Sequence, residues 1–240
     1  MRAYGLSNVG KVRPMNEDAY YLPKAQEEFA VIADGMGGHR AGEVASNLAV
    51  KVMAEKLREA PNCCEEALTS AVALANRAIY EEAQADGEKY GMGTTLTCLW
   101  RGSDFIYLAH VGDSRAYLLR NRALMQLTND HTLVNELVER GELTPGEARV
   151  HPQRNVITRA LGTGRRVTPD IIRLDVKAGD VWLLCTDGLS NCASNTELAQ
   201  ILLETGAWEK KLEALIELAL SRGGRDNITS VLVVMEEEAQ

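Results

Sequence analysis

Apolar residues along this chain occur in two patterns. Some form short continuous runs, as expected of strands buried on both faces. Others recur every three or four positions, as on one face of a helix. The runs predict strands at Ala3–Ser7, Ala19–Leu22 and Phe29–Ala33, the last two joined by a turn from Pro23 to Glu28. Helical spacing of Val44, Leu48, Val52 and Leu57 predicts a helix from about Ala41 to Glu59, broken by Pro61-Asn62. Asn62 and Glu65 stand at capping-box spacing and open a second helix to about Ala85, with Ala67, Ala71, Leu74, Ala78 and Ile79 on its apolar face.

Strands are predicted again at Thr94–Trp100, Phe105–Val111 and Ala116–Leu119, with Gly102-Ser103-Asp104 as a hairpin turn. A helix over Thr132–Arg140 ends at Gly141, and Thr144–Glu147 opens a shorter one. Val150 to Thr168 is rich in Arg, Gly and Pro and has little periodicity. Strands return at Ile171–Leu174 and Val181–Cys185. Ser194 and Glu197 cap a helix, another spans Trp208–Ser221, and Ile228–Met235 is the last strand. With no repeat, low-complexity tract or linker, residues 1–240 read as one domain. The order of elements predicts an α+β fold with antiparallel sheets at the centre and helices outside.

Composition changes this picture little. The 240 residues are 45% hydrophobic but only 5% aromatic, so small and aliphatic side chains must do most of the packing. A net charge of −8 argues against a general nucleic-acid or anionic-membrane surface, while leaving room for a local cationic pocket. The acidic run at 236–238 reads as a solvated tail. Cys63, Cys64, Cys98, Cys185 and Cys192 show no zinc spacing. Their odd number, without a signal peptide, points to a reducing cytoplasm. No stretch is apolar enough to span a bilayer.

The chemistry lies at the ends of the apolar runs. Phe29–Ala33 runs into Asp34-Gly35, and Val181–Thr186 runs into Asp187-Gly188. A carboxylate at the mouth of a buried strand is costly unless something positive meets it. Asp18 precedes the strand before Asp34, Asp226 precedes the last strand, and Asp113 follows the strand ending at Val111. If those strands pair antiparallel, the carboxylates share an edge. Each Asp alone is better read as a turn or cap. Five at strand ends make that reading collectively poor. Without His, Cys or Met among them, the ligands are oxygens, which suits Mg²⁺ or Mn²⁺. Alternating acids of a calcium loop are absent, and the glycines at 35, 37 and 38 lack both nucleotide-loop patterns.

These residues also carry a family resemblance. Arg13-Pro14-Met15-Asn16-Glu17-Asp18, Ala33-Asp34-Gly35-Met36-Gly37-Gly38-His39, Gly93-Thr94-Thr95, Val111-Gly112-Asp113-Ser114-Arg115, Asp130-His131-Thr132, Thr186-Asp187-Gly188-Leu189 and Gly223–Thr229 follow in order. The set resembles the PP2C-type (PPM) metal-dependent serine/threonine protein phosphatases, and Asn155–Gly162 resembles their compact bacterial branch. The resemblance implies a central β-sandwich flanked by helices on both faces, with a flap at about 141–164 beside the active site. It implies two Mn²⁺ or Mg²⁺ ions, bridged by Asp34 and held by the Gly35 carbonyl, Asp187, Asp226 and, largely through water, Asp18. A metal-bridging hydroxide then attacks phosphorus directly. Asp113 and Asp187 would hold a third, weaker ion. Glu17 and Asn227 would support the ligands, Arg13 would clamp the phosphate and His39 would protonate the leaving alkoxide. His131 reads as structural. The implied partners are phosphorylated proteins, including a cognate serine/threonine kinase whose phosphosites the enzyme reverses, and a monomer is expected. Two weaker alternatives are a catalytically inactive binding module and a hydrolase of small phosphomonoesters.

Overall fold

The computed structural model describes residues 1–24, 26–37 and 41–235. The N-terminal third runs β1 (Arg2–Asn8), β2 (Asp18–Tyr21), β3 (Phe29–Met36), α1 (Ala41–Glu59) and α2 (Glu65–Ala85). The middle holds β4 (Gly93–Thr94), β5 (Leu96–Arg101), β6 (Phe105–Val111), β7 (Arg115–Arg120), β8 (Ala123–Gln126), α3 (Leu133–Glu139) and α4 (Pro145–Val150). The last part is β9 (Asp170–Asp175), β10 (Val181–Cys185), α5 (Asp187–Ser190), α6 (Asn195–Leu203), α7 (Trp208–Ser221) and β11 (Ile228–Val234).

The strands form two antiparallel sheets. One has the order β1-β11-β10-β7-β8, the other β2-β3-β5-β6-β9, with β4 paired to β3. The period-two alternation of side chains explains how one apolar run serves two interfaces. In β3, Ala30 and Ile32 face the other sheet and meet Trp182, Leu184, Val231 and Val233, while Phe29, Val31 and Ala33 face α1 and α2. On the opposite side, Leu183, Cys185, Ile228 and Leu232 pack under α5, α6 and α7. The result is the expected sandwich with helices on both faces. No helix among the described residues is long and apolar enough to cross a membrane.

Several local readings change. The second helix starts at Glu65 with Cys64 as its N-cap and no side-chain cap, so the Asn62–Glu65 capping box does not form. Its buried face carries Leu68, Val72, Asn76 and Ile79, and Leu74 points to solvent. Strand β8 and the short helix α5 were not foreseen. The 94–100 run breaks at Thr95, whose side chain turns to the site. Cys98 and Cys185 are fully buried free thiols, as their apolar settings suggested.

Candidate metal and phosphate centre

The hairpin of β2 and β3 places Asp18 directly opposite Asp34. Strand β3 continues past that pair, and Gly35 and Met36 pair with Thr94 and Gly93. Gly35 is glycine because backbone crowds it. A Cβ there would sit 2.1 Å from the Gly42 carbonyl oxygen and 2.6 Å from that of Glu17. The second Asp-Gly repeats the device, since a Cβ on Gly188 would lie 2.0 Å from the Asn227 carbonyl oxygen. Both glycines thus let a neighbouring segment close against an acidic turn.

The two sheets are stitched at this end by polar bonds. The Thr186 and Thr229 hydroxyls, from one sheet, donate to Asp18 Oδ2 of the other at 2.9 and 2.7 Å. The Asp34 amide donates to Thr95 Oγ1 at 2.9 Å, and that hydroxyl bonds Ser114 Oγ at 2.8 Å. Asn227 ties down the loop that carries Arg13. Its Oδ1 accepts from the Glu17 amide, and its Nδ2 donates to the carbonyls of Val9 and Met15. Asn227→Ala should forfeit all three bonds and leave the Glu17 amide without its partner. At about 1 kcal/mol per bond this costs about 2–3 kcal/mol. A drop of roughly 4–12 °C in Tm, read by differential scanning calorimetry, checks it.

Negative charge gathers here in excess. Burial first, then the charges of Asp18, Asp187, Asp113 and Asp226, pushes the Asp34 carboxyl well above the usual range. Burial also lifts Asp18 to about 7, against hydrogen bonds from Thr229 and Thr186. Asp113 rises to about 7 by burial and the charge of Asp187, and Asp187 to about 6 by burial and the charge of Asp226. Mutual influence of this kind places the five carboxylates, drawn from both sheets, in one field.

They are not clenched around a point. Among the described residues, no three His, Cys, Asp or Glu side chains are grouped so as to hold a metal ion as they stand. Instead they bond to protein. Asp226 accepts from Arg13 Nη2 at 2.8 Å, Asp187 from Asn191, and Asp18 from its two threonines. Two buried oxygens, Asp18 Oδ1 and Glu17 Oε1, have no hydrogen-bond partner. An all-oxygen set with orphaned, mutually repelling carboxylates fits hard divalent cations bound partly through water.

Arg13 and Asp226 form a half-exposed ion pair, with 46% and 35% of their side chains accessible. Exposed pairs contribute about 0–1 kcal/mol, so this one exchanges readily for other partners. His131 braces the Asp113 turn from below. Its Nδ1 accepts the Gly112 amide at 3.0 Å and its Nε2 bonds Asp170 at 3.1 Å. His39 lies outside the described residues. In the sequence Thr95, Ser114, Thr186 and Thr229 stand out only as members of the motifs. Ser114, Thr186 and Thr229 lie within three residues of Asp113, Asp187 and Asp226, whereas Thr95 has no acidic residue near it in sequence.

Known proteins match nearly the whole chain. The protein phosphatase 2C family model matches residues 11–232. The serine/threonine phosphatase stp of Listeria monocytogenes is 38% identical, the match covering 97% of this chain and 95% of that protein. The crystal structure of the serine/threonine phosphatase PstP/Ppp of Mycobacterium tuberculosis superposes with a TM-score of 0.92 at 41% identity, over 98% and 99% of the two chains. A PstP catalytic domain in complex with two manganese ions gives a TM-score of 0.89 at 40% identity, covering 98% of each chain. The strands that carry the five aspartates, and the two sheets they join, are therefore those of a protein phosphatase 2C, and the chain belongs to that family.

Proposed function

We propose that this chain hydrolyses phosphoserine and phosphothreonine in proteins, using a pair of divalent cations held at the shared end of its two sheets. The observation that carries this reading is the convergence of Asp18, Asp34, Asp113, Asp187 and Asp226 in one field, with Arg13 paired to Asp226 at its edge. Asp34, opposite Asp18 and influenced by all the others, would hold the pair of cations together with the Gly35 carbonyl, Asp187, Asp226 and Asp18. Asp113 and Asp187 would hold a third, weaker ion. Such ions, when bound, supply a water acidified to near neutral pH and positive charge for the phosphoryl oxygens.

The protein's own groups do the rest. Arg13 leaves Asp226 for the phosphoryl oxygens, which its planar fork meets in a bidentate way, while Asp226 is freed as a ligand. Glu17 and Asn227 hold the Arg13 loop in register with the carboxylates. The leaving alkoxide's proton is assigned to His39 on sequence grounds alone. The segment at 141–164 acts as the flap of a single catalytic domain. The substrates include proteins phosphorylated by a cognate serine/threonine kinase, met in the cytoplasm by a monomeric enzyme.

Phosphate release from a phosphothreonine peptide, with Mn²⁺ and with chelator, tests the reading. Metal-dependent turnover supports it, and inertness of the folded, Mn²⁺-loaded protein on several phosphopeptides overturns it. Arg13→Ala should lower kcat/KM by about 100-fold and Arg13→Lys by about tenfold, because lysine brings charge without the fork. An Arg13→Lys variant as active as the wild type would show that the fork itself is unimportant.

A further inference from the structure

The stretch from Ala148 to Pro169 holds five arginines and no acidic residue, in a chain with 34 acidic and 26 basic side chains. Arg149, Arg154, Arg159, Arg165 and Arg166 are all exposed. Arg159 is engaged, donating to Asp170 at 2.8 Å. Arg149, Arg154, Arg165 and Arg166 have no ion-pair partner among the described residues. A merely solvated face would intersperse both signs, as the exposed helix faces of this chain do with pairs such as Arg77–Glu81 and Lys210–Glu213.

The second half of this stretch is held firmly beside the catalytic end. Leu161 and Thr94 exchange backbone hydrogen bonds at 2.9 and 3.1 Å, and the Thr94 hydroxyl donates to the Asp34 carbonyl. Asn76, buried on α2, accepts from the Gly162 amide and donates to the Gly164 carbonyl. This clamp is why a polar side chain occupies the helix's apolar face. The fixed loop borders an open surface pocket of about 440 Å³ lined by Thr158, Arg159, Thr163, Arg166 and Thr168 among others.

We propose that this pocket is a second anion site, centred on Arg166 and the threonine hydroxyls, that takes a further phosphate or carboxylate carried by the same substrate chain. The proposal rests on the phosphatase reading for its substrate, and deepens it by naming a substrate class: phosphosites flanked by acidic or phosphorylated residues. Arginine and hydroxyl donors suit phosphate and carboxylate oxygens alike. Spacing follows from the sheet. Thr163 packs against Gly93, which pairs with Met36, two residues beyond Asp34. At about 3.4 Å per strand residue the pocket lies on the order of 10 Å from the Asp34 carboxylate. About three extended peptide residues span that distance.

The test compares kcat/KM of the Mn²⁺-loaded full chain on three peptides. One has a single phosphothreonine with neutral flanks, one adds a second phosphothreonine three residues away on either side, and one has glutamate there instead. The ratio within each protein variant cancels any general loss of activity. The wild type should favour the doubly anionic peptides by about tenfold, declining as salt is raised through the physiological range. Arg166→Lys should keep part of the preference, Arg166→Ala should remove most of it and Arg166→Glu should invert it. Preference for the second phosphate alone, or for both anions, identifies which source the pocket accepts. A wild type without preference, or an Arg166→Glu variant that retains it, overturns the proposal. If no peptide is hydrolysed, the phosphatase reading itself fails. Fluorescence anisotropy of the doubly phosphorylated peptide then decides the pocket: binding lost in Arg166→Glu sustains it, and binding unaffected by that change ends it.

Discussion

Asp34→Asn is expected to abolish turnover while leaving the metal-free protein more stable than the wild type. The activity loss should reach about 1,000-fold, or about 4 kcal/mol in the barrier, since the substitution removes the carboxylate proposed above to hold both cations. The stability gain has the opposite origin. Without cations, burial and the charges of Asp18, Asp187, Asp113 and Asp226 oppose ionisation of the Asp34 carboxyl, and a neutral amide of the same shape removes that penalty. In chelator, its Tm should exceed that of the wild type by at least about 2 °C. A cation at about 100 times its Kd should add about 2.7 kcal/mol to the wild type, or roughly 5–11 °C, and much less to the variant. A variant that is inactive and also less stable in chelator would mean that Asp34 serves the fold rather than the metals.

The same field fixes the sign of the pH dependence. Asp18 and Asp113 titrate at about 7 and Asp187 at about 6 in the metal-free fold, against about 3.9 in an unfolded chain. Between those values the native state binds more protons than the unfolded state. These groups therefore destabilise the fold increasingly as pH rises from about 4 to about 7, and the penalty levels off above. Chelated protein should gain Tm on moving from pH 8 to about pH 5.5, and saturating Mn²⁺ should flatten that slope.

The second large effect concerns the layer between the sheets. Trp182 is fully buried there, among Ala30, Ile32, Leu118 and Val233. Its buried neighbours there are aliphatic, with Tyr20 packed against the edge of the cluster. Trp182→Ala should cost about 3–5 kcal/mol, combining lost burial and a residual cavity. The tryptophan nitrogen has no hydrogen-bond partner, and an unsatisfied buried donor costs about 1–3 kcal/mol. Trp182→Phe removes that donor and keeps most of the volume, so its cost should be far smaller. Chemical denaturation of the three proteins checks the order. A Phe variant as unstable as the Ala variant would show that the indole's shape, rather than its bulk, is what the layer needs.

Much of this was readable in the chain. The runs ending in Asp34-Gly35 and Asp187-Gly188 named the catalytic end because continuous apolar strands are buried on both faces and must surface where a charge appears. Antiparallel pairing then brought Asp18 to Asp34. Other features depend on partners far away in sequence. Nothing local distinguishes Asn76 from a poorly placed polar residue on an apolar helix face until Gly162 and Gly164 arrive at it. Leu74 fits the helical period as well as Leu68 does, yet only the docking of α2 decides which is covered. Strand β8, with its largely exposed Ala123, Met125 and Gln126, carries no burial pattern and owes its form to pairing with β7. The Arg13–Asp226 ion pair joins residues more than two hundred positions apart, which no spacing argument could anticipate.

The pairing of β1 with β11, Arg2 opposite Val234, has a consequence for synthesis. Proposed ligands come from Asp18 to Asp226, and Asp18 takes one of its two hydroxyl partners from Thr229. A ribosome-bound chain can present the Asp18–Asp34 hairpin early, but its acidic end stays open until the last strand has emerged and slotted between β1 and β10. Such long-range closure is slow relative to local helix formation. Nascent chains should therefore acquire metal, and with it resistance to proteolysis, in a single late step rather than progressively.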